Sequence, residues 1–199
     1  MRVASRKRET KETQVGVELS LDAGPASVTD IETPNGFFSH TLEAMAKHGG
    51  LSLQVSAQGD VEVDLHHTVE DVGLVMGECL AEALGERRGI ARFAHAYAPL
   101  DEALARAVID LSGRGFFAFD CPDDLRHSWV TQEFPLTLVA DFFQAFADRG
   151  KLTLHLTILA GRNPHHAAEA AFKAAALALR AAVRVTGDQV PSTKGTLVS

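Results

Sequence analysis

The residues most able to do chemistry in this chain belong to a short motif that occurs twice. Each copy has two adjacent histidines followed by a glutamate, in the runs 65–70 (LHHTVE) and 164–169 (PHHAAE). Residues four apart on a helix share one face, so the first histidine of each copy can meet its glutamate. These pairs are His66 with Glu70 and His165 with Glu169. The second histidines, His67 and His166, point about 100° away around the helix.

This pattern predicts a site for two metal ions. One ion cannot easily take both histidines of an adjacent pair, but two such helices facing each other could hold two ions. Each ion would then take a histidine–glutamate pair from one helix and the second histidine of the other. Nitrogen and carboxylate ligands without thiolate suit manganese, iron or zinc, and the dipole at a helix start keeps the imidazoles neutral. A single copy is more often a solvated histidine pair, whereas two copies in matching context favour a site.

Each motif follows an apolar, strand-like run and begins a long helix, so these elements must bring the motifs together. Alternating polar and apolar residues predict strands, and apolar residues three and four apart predict helices. The predicted strands are residues 14–21, 26–31, 51–57 and 61–65, then 90–98, 103–111, 116–119 and 152–159. The predicted helices are residues 37–48, 66–86, 134–147 and 165–185. We interpret the chain as an α+β fold with an internal duplication, each half having the order β-β-β-α-β-α.

The duplication also sets the predicted domain organisation. The first half covers residues 1–89 and the second covers 90–187, and residues 188–199 form a polar tail that could contact an anion. No low-complexity linker separates the halves, which indicates one compact unit. Two unrelated α+β domains are the alternative, which the shared motif disfavours.

The composition limits the classes of function. The 199 residues carry a formal net charge of −7, which argues against bulk binding to nucleic acid. No apolar run is long enough to span a membrane, and the basic N-terminal residues are not followed by the apolar stretch of a secretory signal. Cys79 and Cys121 are isolated from each other, which fits a reducing compartment. We therefore expect a cytoplasmic protein.

Eight short segments together carry a resemblance to a known family. They are residues 10–13 (TKET), 36–42 (GFFSHTL), 64–73, 89–93 (GIARF), 99–104 (PLDEAL), 110–114 (DLSGR), 161–166 (GRNPHH) and 191–195 (PSTKG). With these segments in this order, the chain strongly resembles imidazoleglycerol-phosphate dehydratase, a lyase family of histidine biosynthesis. The resemblance implies a duplicated α+β fold of the ribosomal protein S5 domain 2-like type. It also implies two Mn²⁺ ions per active site and a large homo-oligomer, a cubic shell of twenty-four subunits with active sites between them.

The reaction that the resemblance implies is a manganese-dependent dehydration of a small phosphorylated imidazole. Water leaves D-erythro-imidazole-glycerol phosphate, and imidazole-acetol phosphate forms. The proton to be removed is not acidic, so metal ions on both ring nitrogens would favour a metal-bound imidazolate that expels the hydroxyl group. A carboxylate must then take the neighbouring C–H proton. The matching TKET segment gives this role to Glu12, for which a solvated charge is the simpler interpretation without the resemblance.

The resemblance also implies individual ligands. The metal ligands at matching positions are His40, His66, His67, Glu70, His165, His166 and Glu169. The matching phosphate contacts are Arg92, Arg114, Ser192, Thr193 and Lys194, and an arginine fork forms paired hydrogen bonds with phosphate. Lys173 matches a substrate-contacting lysine and is expected to serve catalysis beside Glu12, with a lysine extended along the helix surface as the alternative.

Two positions depart from the family pattern. Asp141 stands where the family usually has a histidine ligand, and Ser39 stands where it usually has an aspartate before His40. An aspartate oxygen suits manganese, so we expect Asp141 to be a ligand that makes the ion a weaker Lewis acid. An exposed helix charge is the alternative at this position. Ser39 is expected to leave His40 without its usual orienting neighbour.

Two other functions fit the same residues. A di-metal phosphate-ester hydrolase could use these ligands and basic residues with a metal-bound water aimed at phosphorus. A non-catalytic assembly could bind the metal structurally, and the departures at Ser39 and Asp141 keep this possibility open.

Overall fold

Two four-stranded sheets, with the long helices between them, form the part of the chain that the structure describes. This computed structural model describes residues 2–22, 27–195 and Leu197. The first half contains β1 (Val3–Glu9), β2 (Thr13–Ser20), β3 (Thr29–Glu32), α1 (Gly36–Gly49), β4 (Ser52–Gly59) and α2 (His66–Leu84). The second half contains β5 (Phe93–Leu100), β6 (Ala103–Asp110), β7 (Phe116–Asp120), α3 (Asp123–Arg126), α4 (Thr137–Gly150), β8 (Thr153–Ala160) and α5 (Pro164–Ala182). No helix within the described ranges has both the length and the apolar character needed to cross a membrane.

The two sheets repeat one topology, which confirms the predicted duplication. Their strand orders are β1-β2-β4-β3 and β5-β6-β8-β7. The pairs β3/β4 and β7/β8 are parallel, and the other neighbouring pairs are antiparallel. Both halves follow the predicted order β-β-β-α-β-α, and the short helix α3 is an addition in the second half. One face of each sheet is buried because apolar residues alternate along the central strands, as in β2 and β6.

Capping residues fix the starts of two helices that carry candidate ligands. The side-chain oxygen of Asn35 accepts a hydrogen bond from the Phe38 N–H at 3.0 Å at the start of α1. Asn163 plays the same part for α5, accepting from the His165 N–H at 2.9 Å. Pro164 occupies the first turn of α5, where its missing N–H costs no helical hydrogen bond. Both helices therefore begin at a defined residue close to a candidate metal ligand.

The helices of one half pack against the helices of the other. Helix α2 lies against α4, and α1 lies against α5, while each half also covers its own sheet. Gly73 and Gly77 allow the close approach of α2 to α4. A Cβ atom at Gly73 would lie 2.6 Å from the Phe142 carbonyl oxygen, and one at Gly77 would lie 2.7 Å from the Phe146 carbonyl oxygen. This crossed packing brings residues from both halves to the same places.

Several local predictions are wrong at the first sheet. The predicted strand at residues 61–65 is a turn leading into α2. Val61 and Val63 are 47% and 67% exposed, so their alternation with acidic residues does not mark a buried face. Strand β1 has no counterpart among the predicted strands, because only Ala4 of its seven residues is buried. The predicted turn at residues 22–25 and the start of the predicted strand 26–31 lie outside the described residues, apart from Asp22.

Candidate active site

The first candidate metal cluster joins α1 and α5. Potential ligand atoms of His40, His165 and Glu169 all lie within 4.8 Å of one another. The His40 and His165 Nε2 atoms are 3.3 Å and 3.4 Å from the same oxygen, Oε2 of Glu169. The Phe37 ring packs edge-on against the His165 ring, with centroids 4.9 Å apart. Packing and capping thus hold these donors around one point, where nitrogen and carboxylate ligands suit manganese, iron or zinc.

Lys173 completes the surroundings of this cluster. Its Nζ donates to the other Glu169 oxygen, Oε1, at 2.7 Å. The Glu169 side chain is only 12% exposed, and this burial raises the pKa of its carboxyl group. The hydrogen bonds from Lys173 and His40 outweigh burial, so that the pKa lies below its ordinary value. Glu169 therefore stays ionised although it is buried, as a metal ligand must.

The second candidate cluster joins α2 and α4. The His66 Nδ1 atom is 3.2 Å from Asp141 Oδ2, and its Nε2 atom is 4.0 Å from Glu70 Oε2. The Glu70 side chain is 49% exposed. His66 and Asp141 line a cavity of about 500 Å³ whose wall also includes Trp129 and Glu133. The glutamate of this cluster is more exposed than Glu169 of the first, and the donors are again nitrogen and carboxylate oxygen.

The two clusters are equivalents in the duplicated fold. His40 is the fifth residue of α1, and Asp141 is the fifth residue of α4. Each of these two residues faces a histidine–glutamate pair of the other half, at the start of α5 or α2. The aspartate at position 141 is therefore placed beside its pair, as His40 is.

The second histidine of each motif has a carboxylate of its own. The His67 Nδ1 atom lies 3.1 Å from both oxygens of Asp60, and the His166 Nδ1 atom lies 2.8 Å from Glu102 Oε2. These hydrogen bonds raise the pKa of both histidines. A carboxylate on Nδ1 orients the ring and leaves Nε2 as the nitrogen that an ion could take. Among the described residues, neither His67 nor His166 joins a group as compact as the first cluster.

Glu102 is the more strongly anchored of these two carboxylates. Besides His166, it accepts hydrogen bonds from the Arg162 and Asn163 backbone N–H groups at 3.1 and 2.8 Å. These donors, His166 first, lower the pKa of Glu102 to about 2. Neither Asp60 nor Glu102 was among the predicted site residues. Glu102 lies inside the matching segment 99–104, which was a usable signal, whereas Asp60 lies in no such segment.

Glu12, the predicted proton acceptor, lies on the turn between β1 and β2 and is exposed. It lines a shallow groove with Asp60 and Glu62. After Asp60, Glu12 is the next charged group that raises the pKa of His67. The structure therefore places Glu12 beside the second histidine of the first motif.

The predicted phosphate contacts fall into two places. Arg92 forms a paired hydrogen bond with Asp110, at 2.7 and 3.2 Å, and donates to the Pro191 carbonyl oxygen at 2.7 Å. That second bond anchors the tail segment containing Ser192, Thr193 and Lys194. Arg114 is exposed on the loop between β6 and β7, where it contacts the Ser112 carbonyl oxygen at 3.5 Å. Ser39 contacts Thr33 through their hydroxyl groups at 2.9 Å, so its hydroxyl is engaged away from His40.

Comparison with known proteins places this site in a family. Residues 33–179 match the family model described as imidazoleglycerol-phosphate dehydratase. The protein of that name from Acidiphilium cryptum is 52% identical over 200 residues, covering 98% of this chain and 99% of the relative. The protein of that name from Phaffia rhodozyma is 46% identical, covering 100% of this chain and 97% of the relative.

Solved structures give the same result. The crystal structure of imidazoleglycerol-phosphate dehydratase from Staphylococcus aureus has a TM-score of 0.80 and 35% identity, covering 92% of this chain and 99% of that one. The structure of the enzyme from Pyrococcus furiosus has a TM-score of 0.81 and 33% identity, covering 96% of this chain and 99% of that one. The matches extend over both candidate clusters and over nearly the whole fold, so this chain belongs to the imidazoleglycerol-phosphate dehydratase family.

Proposed function

We propose that this protein is a manganese-dependent dehydratase that converts imidazole-glycerol phosphate to imidazole-acetol phosphate in histidine biosynthesis. The observation that carries the proposal is the compact His40–His165–Glu169 cluster, in a chain about half identical to proteins named for this reaction. The cluster supplies oxygen and nitrogen donors and no thiolate, a set that suits manganese. His66, Glu70 and Asp141 supply a second set of the same kind. We propose that each active site holds two Mn²⁺ ions, with His67 and His166 contributing their Nε2 atoms.

The metal ions would withdraw electron density from the imidazole ring of the substrate and favour its deprotonated form. Side chains of the protein would remove the proton and orient the substrate. Glu12 would take the C–H proton next to the ring, because it is an exposed carboxylate close to His67. Lys173 is held 2.7 Å from Glu169, from where its ammonium group would contact a substrate hydroxyl and help to orient it.

The basic residues of the second half would hold the phosphate group. Arg92 already organises the tail through the Pro191 carbonyl oxygen. Ser192, Thr193 and Lys194 follow that anchor directly, so their hydroxyl, amide and ammonium donors are gathered in one segment. Arg114 would add a paired contact. Such local donors are needed because the chain as a whole carries a net charge of −7 and repels a phosphate ester.

We also propose a large cytoplasmic homo-oligomer of twenty-four copies, with active sites completed between subunits. One support is the difference between the outer faces of the two sheets. The second sheet exposes four large apolar side chains, Phe93, Tyr97, Val108 and Phe116, whereas the first exposes Val3 beside polar residues such as Lys7, Glu18 and Ser56. An exposed apolar patch of this kind favours contact with another protein surface. Light scattering with and without manganese measures the size of the assembly, and a monomer under both conditions contradicts this part of the proposal.

Incubation of the manganese-loaded protein with imidazole-glycerol phosphate tests the reaction. A keto product formed without release of free phosphate is expected. Release of inorganic phosphate would instead identify the di-metal hydrolase, and tight metal binding with neither product would identify a structural metal assembly. Glu12→Gln serves as the matched variant, since it keeps the shape of the side chain but removes the basic carboxylate. We expect this variant to lose activity by about 10²- to 10⁴-fold.

A further inference from the structure

Glu12 stands on a turn that is tightly organised by its neighbours. The Thr10 Oγ1 atom accepts hydrogen bonds from the backbone N–H groups of Glu12 and Thr13, at 3.1 and 2.9 Å. The Thr10 N–H group donates to the Thr13 carbonyl oxygen at 2.9 Å. The backbone on both sides of Glu12 is therefore fixed, and it sets the region that the exposed carboxylate can reach.

A buried aspartate connects this turn to the helix of the first motif. Asp71 directly follows Glu70 on α2 and is only 7% exposed. Its carboxylate accepts a hydrogen bond from the Thr13 hydroxyl and another, at 2.7 Å, from Arg8 Nε on β1. Thr13 is itself buried, so this contact is shielded from water. One side of the turn is thus attached to the residue next to a candidate metal ligand.

The other side of the turn is attached to a second candidate ligand. The Asp60 N–H group donates to the Glu12 carbonyl oxygen at 3.0 Å. The carboxylate of the same Asp60 orients His67 through Nδ1. The turn is therefore attached to α2 directly through Asp71, next to Glu70, and indirectly through Asp60, which contacts His67.

From this geometry we infer that Asp71 is a positioning residue for the reaction, which acts through Thr13 to set the distance between Glu12 and the metal centre. The inference rests on the proposed dehydratase function. Displacing a reacting group by about 1 Å costs about 10²-fold in rate, which makes a rigid attachment of the base to the ligand helix valuable. Asp71 would contact neither substrate nor metal.

Thr13→Val is the sharpest test, because it removes the hydroxyl group that Asp71 accepts from while keeping the side chain's shape. We expect kcat to fall by about 10- to 100-fold, with KM and the bound manganese unchanged. Thr13→Ser restores a hydroxyl group and is expected to recover most of the lost kcat. The matched control is Glu82→Gln, which removes the Arg6–Glu82 ion pair of 2.6 Å between β1 and α2, the elements that the Arg8–Asp71 contact also joins, but far along the helix. That control is expected to leave kcat unchanged.

A double-variant comparison separates positioning from general loss of structure. In a Glu12→Gln background, Thr13→Val should have no further effect on kcat, because the group that it positions is already lost. An equal loss in both backgrounds, or an unchanged kcat for Thr13→Val when Glu12→Gln alone is impaired, would overturn the inference while leaving the proposed function intact. A normal kcat for Glu12→Gln would overturn both the role of Glu12 as the base and the positioning role of Asp71.

If Thr13→Val does not fold, Asp71→Asn replaces it. We expect a smaller loss of kcat that is again absent in the Glu12→Gln background, and a loss present in both would contradict the inference.

Discussion

The two candidate metal clusters occupy equivalent places in the two halves but differ in how their charges are balanced. In the cluster on α1 and α5, Glu169 is the one carboxylate, and Lys173 lies four residues further on, bonded to it. In the cluster on α2 and α4, Glu70 and Asp141 are both carboxylates, and position 74, four residues after Glu70, is a leucine. The glutamate of the first cluster is buried, with 12% of its side chain exposed, whereas the glutamate of the second is 49% exposed; the histidines of both clusters are partly exposed.

This difference means that the two halves would hold the proposed ions in different ways. The first cluster orients its donors by packing and by Lys173, so geometry would set the position of an ion there. The second cluster offers two negative charges around His66, so attraction to a dication would contribute more to binding there than orientation of the donors does. An aspartate at position 141 fits the second arrangement, since extra negative charge compensates for weaker orientation. The departure from the family histidine is thus matched by its surroundings.

The largest effect should follow from removing the glutamates. Glu169→Gln removes the one carboxylate of its cluster and leaves Lys173 facing the ion, so we expect manganese affinity to fall by about 10²- to 10³-fold. Glu70→Gln leaves Asp141 in place, and a loss of about 10-fold is expected. Titration of manganese followed by calorimetry compares the two variants. Equal losses would break the proposed distinction between the clusters.

Exchanging the residues at the equivalent fifth positions should give a smaller effect. His40→Asp places a second carboxylate beside buried Glu169, where like charges repel, and manganese affinity is expected to fall by about 10- to 100-fold. Asp141→His replaces a charged donor by a neutral one where the charge of Glu70 stays in place, and affinity should fall by about 10-fold, as for Glu70→Gln. The bound manganese per chain and the dehydratase rate are the measurements. A larger loss for Asp141→His than for His40→Asp contradicts the charge argument.

The carboxylates behind the second histidines should have a still smaller effect. Glu102→Gln removes the charge and one oxygen of a carboxylate that accepts three hydrogen bonds, and Asp60→Asn removes the charge and one oxygen of the carboxylate that orients His67. Losses of outer partners weaken metal binding by about 10-fold at the lower end of their range. We expect Glu102→Gln to reach this loss and Asp60→Asn to fall below it, because the Glu102 carboxylate holds more hydrogen bonds that the substitution weakens. Manganese titration of both variants, with Glu82→Gln as control, decides the order.

Much of the site could be predicted from sequence because its key residues lie on long helices. The four-residue spacing placed each first histidine beside its glutamate, and both contacts occur, at 4.0 Å for His66 and 3.4 Å for His165. The same spacing links Glu169 to Lys173, a signal that neither of the two interpretations of Lys173 used. The partnership of His40 with α5 and of Asp141 with α2 depends on how the helices cross, which spacing alone does not determine.

The missed features share a different physical cause. Asp60 and Glu102 come from loops, and Glu102 is 64 positions away from His166 along the chain. No periodic pattern marks such residues before the fold is known. Strand β1 was not predicted because it has one buried residue, Ala4, and so shows no alternation of buried and exposed positions. The strand at residues 61–65 was predicted wrongly because Val61 and Val63 alternate with polar residues although both are exposed. How His67 and His166 share the ions stays a prediction.

The smallest expected effect is a pH dependence of the stability of the folded protein, caused by the contact between Glu102 and His166 in the second half. The pKa of Glu102 in the folded protein is about 2, below the ordinary 4.5. The stabilisation of the fold by ionised Glu102 is therefore fully present above pH 4.5 and is lost as the pH falls towards 2. The raised pKa of His166 acts in the opposite direction. The stabilisation of the fold by protonated His166 is fully present below the ordinary pKa of 6.5 and is lost as the pH rises through the pKa of His166 in the folded protein. The difference in Tm between the metal-free protein and Glu102→Gln should therefore be greatest between pH 4.5 and 6.5 and shrink on both sides. Thermal unfolding in the presence of a chelator measures it, with Glu18→Gln on the exposed face of β2 as control. A difference that does not vary with pH would mean that the His166–Glu102 contact orients the ring without contributing charge to the stability of the fold.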